Sequence, residues 1–300
     1  MSDLSRKKRL LERLLAVKGE SGEGAKRSLG QNFLISDHVV ERILFSVSSL
    51  PFSEIIEIGP GLGAITEDVL LLGKPLTVIE LDHRFAEYWQ SRSLKGDAPA
   101  PARVIEADAL RVDWRELGLP TDTLLVSNLP YQISSSMVIE RSLEPAGITR
   151  MILMFQKEVA QRIAADTGTK EFGLLTVIAQ TFWETRTVCD ASPQAFFPAP
   201  SVSSRVLQFR RRHASLEWLT NGQGSAPGFL GFVKAAYSHR RKLLLRNLQG
   251  SYYKGDKSLT SRLQEIFTSQ GLLFTARAEE LDPRAMVRLY LAVEKAGLHV

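Results

Sequence analysis

Along residues 36–50, SDHVVERILFSVSSL, apolar side chains recur at helical spacing behind a Ser/Asp start, and this pattern predicts a helix. EIIEIG (54–59) is a short apolar run ending in glycine and predicts a strand; AITEDVLLLG (64–73) predicts the helix after it, closed by Gly73. The alternation continues. LTVIELD (76–82) reads as a strand, DHRFAEYWQSRSL as a helix, and ARVIEADAL (102–110) and DTLLVSN (122–128) as further strands. SSSMVIERSLE predicts a helix, RMILMFQ (150–156) a strand, KEVAQRIAADT a helix, and GLLTVIAQTFWETRTVCD (173–190) one or two late strands. Strands alternating with helices imply an α/β fold built on a mostly parallel, doubly wound sheet. The proline-rich ASPQAFFPAPSVSS (191–204) ends that pattern, and FLGFVKAAYSHRRKLLLRNL and the segment to residue 300 read as helical. The expected organisation is a basic extension over 1–25, a sheet domain over 26–207 and a small C-terminal α-helical domain over 208–300. NGQGSAPG (221–228) is a loop within the last.

Composition narrows this picture. A 300-residue chain with 44% apolar residues can build a substantial core in two domains. No apolar run approaches the ~18–20 residues that a membrane span needs. The single Cys189 excludes an internal disulfide framework and fits a reducing, cytoplasmic setting. One Cys and five scattered His offer no metal-ligand spacing, so no metal is expected. Positive charge is unevenly placed. Residues 1–30 hold eight Lys/Arg against four acids, and residues 205–246 hold nine against Glu217 alone, while the whole chain is only +5. Basic clusters beside an acidic remainder are the footprint of a polyanion-binding protein. In the first 27 residues Leu10, Leu11, Leu14 and Leu15 form one stripe of a short helix. A solvated tail, partly disordered, is the expected state of that segment, with RNA contact as the sharper alternative.

The candidate chemistry sits where strands end. EIGPGLGAIT puts Gly59, Gly61 and Gly63 on a strand-to-helix turn, which suits close approach of a ligand to backbone. Alone this pattern leaves NAD, another nucleoside and plain turn chemistry open. The next strand ends at Glu80, whose carboxylate can accept from both hydroxyls of a ribose. The third ends at Asp108, suited to an adenine amino group. The fourth ends at Asn128, in SNLPYQISSS (127–136), where Pro130 stops the ladder and Tyr131 adds an exposed ring. Four successive strand ends with ligand-capable groups on one edge are far more specific than any one of them.

The order GQNFL (30–34), EIGPGLGAIT, VIELD, EADAL, NLPY, FQKEVAQR (155–162), FGLLTVIAQ (172–180) and PQAFFPAPSVSS closely resembles the rRNA adenine N6-dimethyltransferases that use S-adenosylmethionine. The resemblance runs from about Lys26 to Asn247. It implies a class I methyltransferase (Rossmann-like) fold, a seven-stranded sheet with a final antiparallel strand. It also implies that Asn32 and Leu34 close over the cofactor, that Gly59 and Gly61 lie against it, that Glu80 binds its ribose and Asp108 its adenine. Asn128 would then bind at the methyl end. Asn128 and the Leu129 carbonyl would accept both hydrogens of the target amino group, with Pro130 stiffening the corner and Tyr131 and Phe196 walling an everted base. Ala107 stands where the family commonly has glycine, and Phe197 and Ser201 depart from commoner polar and basic choices.

AYSHRRKLLLRNL (236–248) sets Arg240, Arg241, Lys242 and Arg246 among apolar residues, so that on a helix the cations would reach phosphates. An amphipathic helix with a charged outer face is the plainer reading. The pattern also resembles the second domain of the KsgA-type small-subunit enzymes, which large-subunit relatives conferring macrolide resistance generally lack. The resemblance therefore implies a monomeric enzyme that dimethylates two adjacent adenosines in the 3′-terminal hairpin loop of small-subunit (16S) rRNA during subunit assembly. The alternatives are a large-subunit rRNA adenine dimethyltransferase and a non-catalytic RNA-binding assembly factor. An NAD-dependent dehydrogenase fits least, because no catalytic His, Tyr or Lys constellation accompanies the glycines.

Overall fold

The computed structural model describes residues 3–17, 31–95, 99, 101–144, 147–212, 221, 224–252 and 257–298. The expected boundary at residue 25, Gly30 and Glu217 lie outside the described residues. The chain divides into two compact units, one of Met1–Met137, Ala146–Ala160 and Thr185–Arg210, the other of Val138–Pro145, Gln161–Glu184 and Arg211–Val300. The first unit gives way to the second after Arg210, near the end of the strand Ser204–Arg211.

The first unit is organised on a seven-stranded sheet. Its strands are β2 (Ile55–Ile58), β3 (Leu76–Glu80), β4 (Arg103–Glu106), β5 (Thr123–Asn128), β6 (Ile148–Gln156), β7 (Trp183–Ala191) and β9 (Ser204–Arg211). A separate two-stranded ribbon pairs β1 (Phe33–Leu34) with β8 (Phe196–Phe197), antiparallel, with Phe33 opposite Phe197. The sheet order is β4-β3-β2-β5-β6-β9-β7. Pairing is parallel from β4 to β6, and β9 runs antiparallel to β6, as the resemblance implied. The seven strands and their mostly parallel order bear out the expected fold class.

Position in the sheet explains the composition of each strand. β2, buried on both faces, reads IIEI, and β5 reads TLLVSN, because central parallel strands are covered on both sides. The edge strands β4 (RVIE) and β7 (WETRTVCDA) carry charged residues, which discourage pairing with another chain. β2 pairs with both β3 and β5, so the strand order reverses there. In open α/β sheets such a reversal opens a crevice at the carboxyl ends of the strands, the place where ligands bind. The two strand ends at this reversal carry Gly59 and Asn128.

The helices of this unit follow their sequence signals closely. α2 (Asp37–Ser48) begins at Ser36, whose hydroxyl accepts from the Val39 amide. α3 (Thr66–Leu70) follows the glycine turn, and α4 (His83–Lys95) follows β3. α5 (Tyr131–Leu143) starts three residues earlier than its apolar pattern suggested, so Tyr131 itself opens the helix. The N-terminal segment departs from expectation. Asp3–Val17 is a helix, α1, and it is not a solvated tail: Leu10 and Leu14 are buried with Phe33, Leu62 and Phe85.

Residues 173–190 also differ. Their first half forms a helix, α7 (Leu174–Phe182), and only the second half is a late strand, β7. α7 is nine residues long and strongly apolar, and periodicity alone does not separate helix from strand in so short an apolar run. Its start is set by Thr176, whose hydroxyl accepts from the Gly173 amide at 3.0 Å. α6 (Lys157–Ile163) precedes it.

The second unit is helical and adds α8 (Ala226–Ala236), α9 (Leu244–Tyr252), α10 (Lys257–Ser269) and α11 (Pro283–Lys295). Its core is aromatic: Phe229 lies 6.2 Å from Phe182 and 5.4 Å from Tyr290, ring to ring. The Tyr290 hydroxyl donates to the Ser225 carbonyl.

Candidate functional site: a strand-end cavity

A cavity of about 300 Å³ opens at the carboxyl ends of β2, β3 and β5. Among its walls are Asn32, Leu34, Gly59, Gly61, Glu80, Asp108, Asn128, Leu129, Pro130 and Tyr131. Ten residues singled out from the sequence therefore surround one space. Phe196 does not join them. Its side chain is 3% exposed and packs in the core with Leu34, Val40 and Val206. Pairing of β8 with β1 turns that ring inward, and it is the neighbouring Phe197, 37% exposed, that reaches the surface.

The glycine turn is shaped by its neighbours as much as by any ligand. Gly61 has φ +50°, and a β-carbon there would stand 3.2 Å from the Phe33 ring. At Gly63 (φ +85°) it would lie 2.6 Å from Trp89, so this glycine is required by packing. The Trp89 indole donates to the Gly61 carbonyl at 3.0 Å, and the Gly61 amide donates to Glu80 at 3.1 Å. Glu80 also accepts from the Asp82 amide at 2.9 Å. Burial raises its pKa, against the pull of these two amides.

Glu57, which the motif reading passed over, is a further wall residue. It is 2% exposed, and its Oε2 makes no hydrogen bond within the protein. Burial, reinforced by the charge of Glu80, raises its pKa to about 8, although the Thr66 hydroxyl pulls the other way. One sequence signal could have found it: an acid at an interior position of an otherwise apolar strand, EIIEIG. Glu57, Glu80 and Asp108 together give this cavity three carboxyl groups, which a ligand that brings positive charge would favour in their ionised form.

The segment that carries Asn32 is anchored by Gln31, whose amide donates to Asp82 at 2.9 Å. Burial alone would raise the Asp82 pKa, but the Arg84 fork and Gln31 overcome it and hold the carboxyl at about 2. Asn32 in turn orients the candidate catalytic amide. Asn128 Nδ2 donates to the Asn32 carbonyl at 3.1 Å, which commits the nitrogen and leaves Oδ1 as the acceptor of that side chain. The Tyr131 hydroxyl is hydrogen-bonded to Ser204 at 2.8 Å, which steadies its ring. Asp108 accepts from the Leu110 amide at 3.0 Å, with Arg111 Nε 3.6 Å away.

Of the basic cluster expected on a helix, Arg240, Arg241 and Lys242 lie instead in the turn between α8 and α9, while Arg246 lies on α9. Asn247 sets this turn: its amide donates to the carbonyls of Ala236 at 2.7 Å and His239 at 3.0 Å, closing the end of α8. Arg240 points back into its own unit, donating to Glu279 at 3.1 Å and to the carbonyls of Phe172 and Lys170. Arg241, Lys242 and Arg246 are exposed.

Residues 22–283 match the family model described as ribosomal RNA adenine dimethylase. The chain is 46% identical over 280 residues to a protein of Bdellovibrio bacteriovorus called ribosomal RNA small subunit methyltransferase A, covering 93% of this chain and 96% of that one. A protein of the same description from Acidobacterium capsulatum is 35% identical, with coverage of 90% and 91%. Among solved structures, a dimethyladenosine transferase from Plasmodium falciparum is similar in fold, with a TM-score of 0.72, 23% identity, and coverage of 89% of this chain and 99% of that one. The 23S rRNA methyltransferase ErmE matches with a TM-score of 0.62, 23% identity, and coverage of 88% and 100%.

Proposed function

The chain belongs to the ribosomal RNA adenine dimethylase family, and we propose that it methylates N6 of two adjacent adenosines in the 3′-terminal hairpin loop of small-subunit rRNA, twice each, during subunit assembly. The methyl donor is S-adenosylmethionine. The cavity suits it: a cationic ligand meets the carboxyl groups of Glu57, Glu80 and Asp108, and a positive charge beside the buried Glu57 would draw off the proton that its carboxyl holds in the cofactor-free chain. Glu80 would hold the ribose hydroxyls, Asp108 the adenine, and Gly59 and Gly61 the backbone approach. Bound there, S-adenosylmethionine supplies an electrophilic methyl group on a sulfonium that leaves as a neutral thioether.

The observation that carries this reading is the orientation of Asn128. The amino group of adenine is a poor nucleophile because its lone pair is delocalised into the ring. An acceptor on each amino hydrogen favours a pyramidal nitrogen with its lone pair free. Asn128 Oδ1 supplies one acceptor, since its nitrogen is committed to Asn32, and the Leu129 carbonyl supplies the other. Asn accepts strongly without needing a tuned pKa. The contribution of the protein is positioning, with dipoles aimed at charge that develops on nitrogen. Once alkylated, the nitrogen is acidic enough to lose its proton to solvent. The monomethylated amine keeps one hydrogen for an acceptor to hold, which permits the second transfer. Tyr131, fixed by Ser204, offers a face to a base lifted from its stack. Arg241, Lys242 and Arg246 would meet phosphates of the rRNA.

The test is to incubate undermethylated small subunits with labelled cofactor and map the modified adenosines by primer extension. Label at two adjacent adenosines of the 3′ hairpin is the expected outcome. Label in large-subunit rRNA, or tight subunit binding with no methyl incorporation, would overturn the assignment in favour of the large-subunit enzyme or the non-catalytic assembly factor.

A further inference from the structure

The N-terminal helix is basic, yet two of its arginines do not face solvent. Arg6, 8% exposed, donates to Asp37 on α2, to Asp68 on α3 at 2.8 Å and to the Ala64 carbonyl at 2.7 Å. Arg13 donates to the Leu62 carbonyl at 2.9 Å and pairs with Glu67 at 2.9 Å; Arg92 of α4 holds the other oxygen of Glu67. Leu62 and Ala64 belong to the glycine turn. Beside the two arginines, Leu10 and Leu14 pack on Phe33, Leu62 and Phe85, and each of those three side chains is also a wall of the strand-end cavity. The same face carries Lys7, whose ammonium stands 5.6 Å from the Phe197 ring centre on β8, the partner strand of β1.

We propose that α1 backs the wall of the cofactor pocket, and that Arg6 and Arg13 are positioning residues that hold the glycine turn in the shape that binds S-adenosylmethionine. This inference rests on the reading of the cavity as the cofactor site. The physical reason is preorganisation. The turn from Pro60 to Thr66 is irregular, so its shape depends on whatever grips it. On the cavity side Glu80 holds the Gly61 amide. On the far side the two guanidinium groups hold the carbonyls of Leu62 and Ala64. A plain solvated helix would leave such side chains in water, since an exposed ion pair returns little stability. Here a fork with five fixed donors meets carboxylates and carbonyls at once, a geometry that lysine cannot reproduce.

Release of one grip should lower the fraction of chains whose turn is competent to bind. The apparent cofactor affinity falls by that fraction while the chemistry of bound complexes stays the same. Arg13 is the better target because Arg6 joins two acids and its removal endangers folding. The experiment titrates S-adenosylmethionine into the full chain by calorimetry, for the wild type and for Arg13→Gln, Arg13→Lys, Arg6→Lys and, as an exposed control on the same helix, Lys8→Gln. Arg13→Gln should bind about tenfold more weakly, as for a competent fraction of about one tenth. Its KM for cofactor should rise in parallel, with kcat at saturation within about twofold. Arg13→Lys and Arg6→Lys should fall between it and the wild type, and Lys8→Gln should match the wild type. In the cofactor-free protein, amide exchange of residues 61–68 should be faster in Arg13→Gln than in the wild type, with exchange in β5 and β6 unchanged.

Wild-type affinity in Arg13→Gln would overturn the inference. So would a parallel loss of kcat, melting temperature and β5 protection, which would mark general loosening. A wild-type chain that binds no S-adenosylmethionine would instead sink the assignment of the cavity, and this inference with it.

Discussion

The strand-end cavity of the first unit and the basic turn of the second were both singled out by residue type, yet the structure treats them differently. At the cavity nearly every candidate side chain meets the others around one space, and the decisive groups are pinned: Glu80 by two amides, Asn128 by Asn32, Tyr131 by Ser204. At the turn the cations do not act alike. Arg240 is engaged by Glu279 and two carbonyls of its own unit, whereas Arg241, Lys242 and Arg246 are exposed. The contrast separates recognition that needs exact geometry from recognition that does not. Methyl transfer depends on atoms held in line, so its groups sit on rigid strand ends. Attraction to phosphate is long-ranged and tolerant, so solvated side chains on a turn suffice.

Asn128 puts this contrast under the greatest strain. Asn128→Ala should lower single-turnover methyl transfer by about 10²–10³-fold, the scale of one preorganised dipole, while cofactor affinity stays within several-fold. Unimpaired transfer would remove Asn128 from the mechanism. Next comes Glu80→Ala, expected to weaken S-adenosylmethionine binding by about 10–100-fold, the scale of hydrogen bonds to a charged group; isothermal titration reads it.

The turn predicts a smaller and differently shaped effect. Substituting Arg241, Lys242 and Arg246 together by Ala should weaken subunit binding and reduce the slope of log affinity against log salt by about 2, at ~0.7 for each phosphate no longer neutralised. Arg240→Ala should leave that slope unchanged and cost about 1 kcal/mol of stability instead. An equal slope change for Arg240→Ala would erase the distinction drawn within the cluster.

The last effect is of a different kind, on stability against pH, and concerns Glu57. Its folded pKa of about 8 lies above the ordinary value of 4.5, so between those limits the native state holds a proton that the unfolded chain has lost. Stability from this group is therefore present at low pH and drains as pH rises from about 4.5 to about 8. The melting temperature of the cofactor-free chain should decline over that window, and Glu57→Gln should flatten the decline. Identical profiles would show that the buried carboxyl is not protonated.

Local pattern was a good guide where an element was clearly bounded. α2, β3, α4 and β5 begin and end within a few residues of their signals, the helices through contrast between faces and the strands as short apolar runs that end in acids or Asn. It failed where a run was ambiguous. α7 is only nine residues long and strongly apolar, so it looked like strand. The stretch 236–248 looked like one helix, but Asn247 closes α8 by reaching across the turn to Ala236 and His239. Glu57 was passed over although a single acid inside an apolar strand stands out in the sequence, and the cavity beside it gives it meaning.

The ladder of strand ends was written in the chain alone. Strand register alternates with a period of two and parallel order follows from βαβ handedness, so a run of strands each ending in Gly, Glu, Asp or Asn must deliver those groups to one edge. The use of each charge, by contrast, was settled only once the chain had folded. Arg6 and Arg240 sit in basic clusters that look alike in sequence, and both turned out to grip the protein itself, because a guanidinium is claimed by whichever carboxylate and carbonyl the fold brings within reach. Those partners lie 31 to 70 residues away along the chain, a separation that no local pattern encodes.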